Sequence, residues 1–317
     1  MIPKTPQDQE SQDLFKDKGF KSIQTAIKTS LSHVKQGMHG KRRVFPTKWK
    51  RLNKNLLGGL QPGKMYVIAG RPGVGKSAFS NQLIFDLLDN NKDKLLTVLY
   101  WSFEMPGYQQ LLRAGSKDSG REVSDLLSVE KRLDEASFEK FRASVSTYAH
   151  YPIYFNNVPR DMEFIKKANM DVMHKQPHHT VVNVFDHSRL ILSDRDQELQ
   201  KLNDVSKGCM WMQARMGCIN ILLSQLNRNI EQEHRAKAQY QPLLTDLFGG
   251  DSIGQDAHVV MMLQRPNDLY GITDLYCNED PVGLLACHVE KNRDGLLGMI
   301  SFEAEMSTFT INERIIK

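Results

Sequence analysis

Residues 70–77 spell Gly70-Arg71-Pro72-Gly73-Val74-Gly75-Lys76-Ser77, a GxxxxGKS run. A β-rich stretch (MYVIA, 65–69) precedes it and a helix-forming stretch (78–88) follows. A chain with this order must turn sharply from strand to helix, with backbone N–H groups converging on an anion at the helix N-terminus. The glycines let the backbone wrap, Lys76 supplies a mobile charge for β- and γ-phosphates, and the Ser77 hydroxyl is a Mg²⁺ ligand. The nucleotide segment is therefore placed at Gly70, Arg71, Pro72, Gly73, Val74, Gly75, Lys76, Ser77 and Ala78. ATP or another NTP with Mg²⁺ is the expected ligand.

Further β-rich runs occur at 95–103 (LLTVLYWSF), 180–185 (TVVNVF), 218–224 (CINILLS), 258–263 (HVVMML) and 283–289 (GLLACHV). The first four runs, counted from 65–69, are separated by stretches long enough for crossover helices. Their near-continuous apolar character predicts strands buried on both faces of a mostly parallel sheet. Runs at 299–304 and 308–311 read as a terminal hairpin turning at 305–307. The class is α/β, a twisted, mostly parallel sheet flanked by helices.

Residues 1–20 are polar and aperiodic and are expected to form a flexible leader. From Ser22, Ile23, Ala26, Ile27, Leu31 and Val34 recur at helical spacing, and Gly37 and Gly40 end the pattern. A helix over 22–36 with one uncovered apolar stripe either folds back on its own domain or docks on a neighbouring subunit. A basic connector (41–43) completes a segment at 21–44, and the main domain is assigned to 45–317. The first sixty residues carry 13 Lys and Arg against four Asp and Glu, while the whole chain nets +5. That bias fits an acidic partner, such as nucleic acid, or a solvated face.

The 317 residues hold no apolar run of membrane-spanning length, and the polar start (MIPKTPQDQESQ) does not read as a secretory signal. Cys209, Cys218, Cys277 and Cys287 show no metal-binding spacing and are expected to be packed thiols in a reducing compartment. A cytoplasmic protein is expected, with no membrane partner.

A phosphate loop of this kind needs a carboxylate at a strand end to hold Mg²⁺ through water. Asp186, closing TVVNVFD, is the candidate, with Asp194 and Asp196 as loop alternatives. Glu104, just past the second strand, is placed to orient and deprotonate water if that strand neighbours the phosphate-loop strand; otherwise it caps the next helix. Gln225, at the tip of 218–224, is a candidate contact to the γ-phosphate.

Five segments together resemble the C-terminal ATPase domain of DnaB-type, RecA-like hexameric replicative helicases. They are GGLQPGKMYVIAGRPGVGKS (58–77), WSFEM (101–105), SQLNRNIEQ (224–232), TDLFGGDSIGQDAH (245–258) and EKNRDG (290–295). The resemblance implies a RecA-like core in which Glu104 is the catalytic base and Asp186 the Mg²⁺-linked acid. Gln225 would sense the γ-phosphate and relay its state to the DNA. Lys291 and Arg293 would reach the neighbour's triphosphate, Arg293 as an arginine finger, and Arg265 and Phe302 would flank the base. The helix at 22–36 is similar to the linker helix that packs on an adjacent protomer.

The implied assembly is a homo-oligomer, a hexamer, with single-stranded or forked DNA in its centre held by loops at 190–198 and 235–252. Arg228, Arg235, Lys237, Phe248, Gly249 and Gly250 are the candidate DNA contacts. Phe248-Gly249 replaces an Arg-Glu pair of the family, so Phe248 either stacks on a base or anchors the loop. Asp186-His187-Ser188-Arg189 is closer to the phage primase-helicases than to bacterial relatives. Only about twenty polar residues precede the linker helix, which implies no fused scaffold or primase domain, hence a separate primase or loader in a bacterial or phage-infected cell. Competing readings are a RecA-like recombination or repair ATPase, and an ATP-binding loader or scaffold without turnover.

Overall fold

The computed structural model describes residues 21–275 and 279–315. The expected leader at 1–20 and Cys277 lie outside them. The chain divides into two compact units, residues 1–43 and 44–317. In the first, a helix runs Ile23–Met38, and the Ser22 hydroxyl accepts from the Thr25 N–H at 3.2 Å. This capping bond satisfies one of the donors a helix start leaves open. Ile23, Ile27, Leu31 and Val34 are 51–74% exposed.

The second unit is built on one nine-stranded sheet among the described residues. In chain order the strands are β1 (Met65–Gly70), β2 (Leu96–Ser102), β3 (Ile153–Asn156), β4 (Thr180–Asp186), β5 (Ile219–Gln225), β6 (Val259–Gln264), β7 (Leu284–Asn292), β8 (Gly298–Glu305) and β9 (Thr310–Glu313). Their spatial order is β3-β2-β4-β5-β1-β6-β7-β8-β9. Pairings from β3 to β6 are parallel, and those from β6 to β9 antiparallel.

β1, β2, β4 and β6 are buried along their whole length, as continuous apolar runs require when helices cover both sheet faces. Tyr66 and Ile68 face a core with Phe45, Trp49, Phe79 and Leu83, while Met65, Val67 and Ala69 face one with Leu202, Val205, Met212 and Ile253. β3 had no counterpart in the sequence reading. Its four residues lie at the sheet edge, with Tyr154 exposed and the others half-buried, and its apolar run is only three residues, Ile153-Tyr154-Phe155. The terminal hairpin is present, but its turn lies at 306–309 rather than 305–307. The loop expected at 228–252 contains three short 3₁₀ turns and the start of the helix Gly250–Asp256.

Cys209, Cys218 and Cys287 are buried free thiols, and burial pushes the Cys218 and Cys287 thiols up to about 12. No described helix is long and apolar enough to cross a membrane.

Candidate active site

Parallel strands present their C-terminal ends along one edge, and ligands in open α/β sheets bind outside that edge where the strand order reverses. Here β1 is that point: β5 lies on one side and β6 on the other. A cleft of about 460 Å³ opens there, lined by Pro72, Gly73, Gly75, Lys76, Ser77, Ala78, Glu104, Arg113, Asp186, His187, Gln225, Arg265, Met306 and Phe309.

The loop shape follows from its glycines. Gly73 and Gly75 adopt φ of 79° and 102°, values that L side chains rarely reach. The helix Lys76–Asn90 then starts directly under the cleft. The Lys76 ammonium bonds the carbonyls of Gly70 and Arg71, each at 3.1 Å. Burial holds its pKa down to about 8, against the opposing pull of the Asp186 and Glu104 carboxylates. The Val74 side chain is fully buried in the core and takes no part in the cleft. The Arg71 side chain turns away as well: its Nε meets Glu231 at 2.6 Å and its Nη1 the Leu226 carbonyl at 2.9 Å. Arg71 therefore contributes only backbone to the cradle, because its guanidinium is taken by the loop after β5.

Asp186 is 2% exposed. Its Oδ1 accepts from the Ser77 hydroxyl at 3.3 Å, while Oδ2 is buried without a hydrogen-bond partner. Burial raises its pKa to about 6; the Ser77 bond opposes that, and Glu104 adds to it. An unsatisfied carboxylate oxygen beside a serine hydroxyl fits Mg²⁺, which keeps several waters and takes few protein ligands. Among the described residues no cluster of three or more His, Cys, Asp or Glu forms a fuller metal site. Asp194 and Asp196 do not line the cleft.

Glu104 reaches the cleft, although the condition set for it fails. β2 is not next to β1: β4 and β5 stand between them. β2 instead runs beside β4 to its last residue, Ser102 opposite Asp186, and the Phe103 N–H continues the ladder on the Asp186 carbonyl at 2.9 Å, so Glu104 leaves the sheet next to Asp186. Gln225 ends β5 in register with Gly70, the first glycine of the phosphate loop.

Phe302 is corrected. It is fully buried, with ring centroids 5.1 Å from Trp49 and 5.5 Å from Phe79, and cannot flank a nucleotide base. β8 turns that side chain into the core, so the hairpin reaches the cleft only through its turn, at Met306 and Phe309. Arg265 does line the cleft, paired with Asp268 at 2.6 Å. The sequence reading missed Arg113, His187, Met306 and Phe309. Arg113 stands beside the buried Gln110 and Ala114 on the helix Gly107–Ser119, with its guanidinium 4.8 Å from the Phe309 ring centroid. A cation next to a buried helical stripe was the signal available for it.

Lys291 and Arg293 are not among the lining residues. Lys291 Nζ bonds the carbonyls of Gly254 and Gln255 at 2.8 and 2.6 Å, and Arg293 Nη2 those of Gln255 and Asp256 at 2.7 and 3.2 Å. Both sit on the C-terminal turn of a helix, where carbonyls lack intrahelical donors and the dipole favours cations.

The loop beyond β5 folds back on itself. Leu226 bridges Leu247, the Asn227 N–H meets the Asp246 carbonyl at 2.7 Å, and the Phe248 N–H meets the Gln225 carbonyl at 2.9 Å. Arg235 is corrected as a free phosphate donor: it grips both oxygens of the buried Asp246 at 2.9 Å. Phe248 is half-buried against the core in an anchoring position. Gly249 takes φ 71°, and a Cβ there would stand 2.5 Å from Leu202, which explains the glycine. Gly250 begins the following helix, and Arg228 and Lys237 are exposed.

The family described as the DnaB-like helicase C-terminal domain matches residues 45–311. The replicative DNA helicase DnaB of Rickettsia prowazekii is 23% identical over 92% of this chain and 64% of its own length. The replicative DNA helicase DnaC of Bacillus subtilis is 24% identical over 93% of this chain and 63% of its own. The chain thus spans less than two thirds of these relatives. In structure it is similar to the ATPase domain of G40P, with TM-score 0.81, 20% identity and coverage of 94% of this chain and all of that one. A DnaB-like replicative helicase solved for its interactions with primase gives TM-score 0.78 and 19% identity, covering 92% of this chain and 67% of that one.

Proposed function

The chain belongs to the DnaB-like helicase C-terminal domain family, and from that premise we propose that it is the ATP-hydrolysing engine of a ring-forming replicative DNA helicase. The observation that carries the reading is the single cleft that gathers Lys76, Ser77, Glu104, Asp186 and Gln225.

In this reading Lys76 holds the β- and γ-phosphates, and Arg113 adds a second positive charge. Ser77 and Asp186 hold Mg²⁺, which when bound draws negative charge from the phosphates. Glu104 takes the proton of the attacking water. Gln225 bonds the γ-phosphate, and its carbonyl ties it to Phe248 in the loop behind.

Lys291 and Arg293 stand away from their own cleft, which supports a role in a neighbour's. Such a shared site requires head-to-tail contacts, which close into a ring when the rotation between neighbours divides a full turn. Six subunits is the size proposed. The uncovered stripe of Ile23, Ile27, Leu31 and Val34 would dock on the adjacent protomer. Single-stranded DNA, entering from a fork, would thread the loops at 190–198 and 235–252, with Arg228 and Lys237 facing its phosphates. The protein would work in the cytoplasm of a bacterium or of a phage-infected cell. A primase partner is supported by the primase named with one structural neighbour; a separate loader is also proposed.

The test is ATP turnover with and without single-stranded DNA, alongside strand displacement on a forked duplex. Stimulated turnover with displacement is expected. Turnover without displacement would favour a recombination or repair ATPase, and binding without turnover a loader or scaffold.

A further inference from the structure

Arg189 occupies the short turn Ser188–Leu190 just beyond Asp186 and does not line the cleft. Its one side chain meets three separate parts of the molecule. Nε pairs with Glu198, the first residue of the helix Glu198–Met216. Nη1 donates to Gln225 Oε1 at 3.4 Å. The guanidinium also lies 4.6 Å from the centroid of the Phe248 ring. Phe248 in turn donates its N–H to the Gln225 carbonyl at 2.9 Å, so Gln225, Arg189 and Phe248 close a small circuit.

The chemistry of that circuit is directional. A guanidinium has only donors, so Gln225 must offer it the amide oxygen. That leaves the two Nε2 hydrogens as the part of the amide free for an acceptor. A phosphate oxygen is such an acceptor. We propose that Arg189 is a positioning residue that fixes the amide polarity of Gln225 and couples its contact with the γ-phosphate to the Phe248 loop. The inference rests on the helicase reading above and deepens it.

The contact to Gln225 is long for a hydrogen bond, whereas the contacts to Glu198 and Phe248 are close. The weak member is the one with room to tighten. When Gln225 Nε2 meets a γ-phosphate oxygen, Oε1 keeps its contact with Arg189, so the guanidinium shifts with the amide and its hold on the Phe248 ring changes. A planar fork is needed to serve a carboxylate, an amide oxygen and a ring face together, and a lysine ammonium lacks it.

The test uses the full chain with a single-stranded oligonucleotide. DNA affinity is measured with a non-hydrolysable ATP analogue and with ADP, and the ratio of the two affinities reports the coupling. Turnover is measured with and without DNA. The wild type is expected to show a ratio of ~5–150. Arg189→Ala should bring it close to one and remove the stimulation by DNA, while DNA-free turnover and its KM stay within about twofold of wild type. Arg189→Lys should do the same, and its retained pairing with Glu198 guards against simple misfolding. Glu198→Gln should keep the wild-type ratio, because the amide and ring contacts remain. A wild-type ratio in Arg189→Ala and Arg189→Lys would overturn the coupling, as would an equal loss in Glu198→Gln, which would make the ion pair the active element. A wild type indifferent to single-stranded DNA would overturn the helicase reading and the coupling with it.

Discussion

The phosphate cleft and the loop behind β5 are both rich in charge, yet they use it in opposite ways. In the cleft, Asp186 Oδ2 and Arg265 Nε are buried with no partner. In the loop, Arg235 is gripped twice by Asp246, and Arg71 reaches across to Glu231 and the Leu226 carbonyl. A buried polar group left unpaired costs about 1–3 kcal/mol, and at the mouth of the cleft a bound cation or phosphate would offset that cost. The difference separates groups that wait for a ligand from groups that hold a framework.

Arg293 puts the contrast under the greatest strain, since it is bonded like a framework residue and assigned to a neighbour's cleft. Arg293→Ala should lower turnover by ~10³-fold or more, as loss of an arginine finger does. Mixed with Lys76→Ala subunits before assembly, it should regain activity, because some boundaries then join an intact Lys76 to an intact Arg293. Near-normal turnover in Arg293→Ala would return it to the framework.

Within the cleft, Lys76→Ala and Glu104→Gln should each cost ~10²–10³-fold or more in turnover. Nucleotide-binding and turnover assays separate them: Lys76→Ala should lose nucleotide affinity, whereas Glu104→Gln should bind and not hydrolyse. Turnover near the wild-type rate in Glu104→Gln would leave that carboxylate as a helix cap.

In the loop, Arg235→Ala leaves Asp246 buried and unpaired. A loss of ~3 kcal/mol is expected on denaturant unfolding, with faster hydrogen exchange across residues 228–246. DNA-free turnover should persist. An unchanged stability with weakened DNA binding would show that Arg235 is a ligand-facing group after all.

The smallest effect is the finest probe. Asp186 has its pKa raised to about 6 by burial, and Mg²⁺ binds only the deprotonated carboxylate. Below about pH 6 the proton competes, so apparent Mg²⁺ affinity should fall by ~10-fold per pH unit. Raising the Mg²⁺ concentration should move the acid limb of turnover to lower pH. A limb insensitive to Mg²⁺ would assign it to another group.

Much of the framework could be read along the chain because it rests on local rules. The GxxxxGKS run requires a strand before it and a helix after it, and long buried strands require continuous apolar runs; β1, β4 and β5 follow. Gln225 and Asp186 were legible because they close such runs. Residues whose place depends on distant parts of the chain were not. β3 is too short to stand out as a run, and Arg113, Met306 and Phe309 reach the cleft only through packing. Phe302 was placed at the base by the resemblance alone, and only packing shows that its face of β8 meets Trp49 and Phe79.

The sequence by itself determined the phosphate loop, the α/β class and the set of groups able to handle a triphosphate. These are written in short windows, where backbone geometry and side-chain chemistry act between near neighbours. Only the tertiary structure decided that β4 and β5 lie between Glu104 and the phosphate loop without keeping them apart. It alone decided that Arg235 is spent on Asp246, and that Arg189 joins Gln225 to Phe248. Each of these depends on which strands pair and how the loops beyond them cross. Strand order is set by the burial of whole faces against one another, a property no single window of sequence carries.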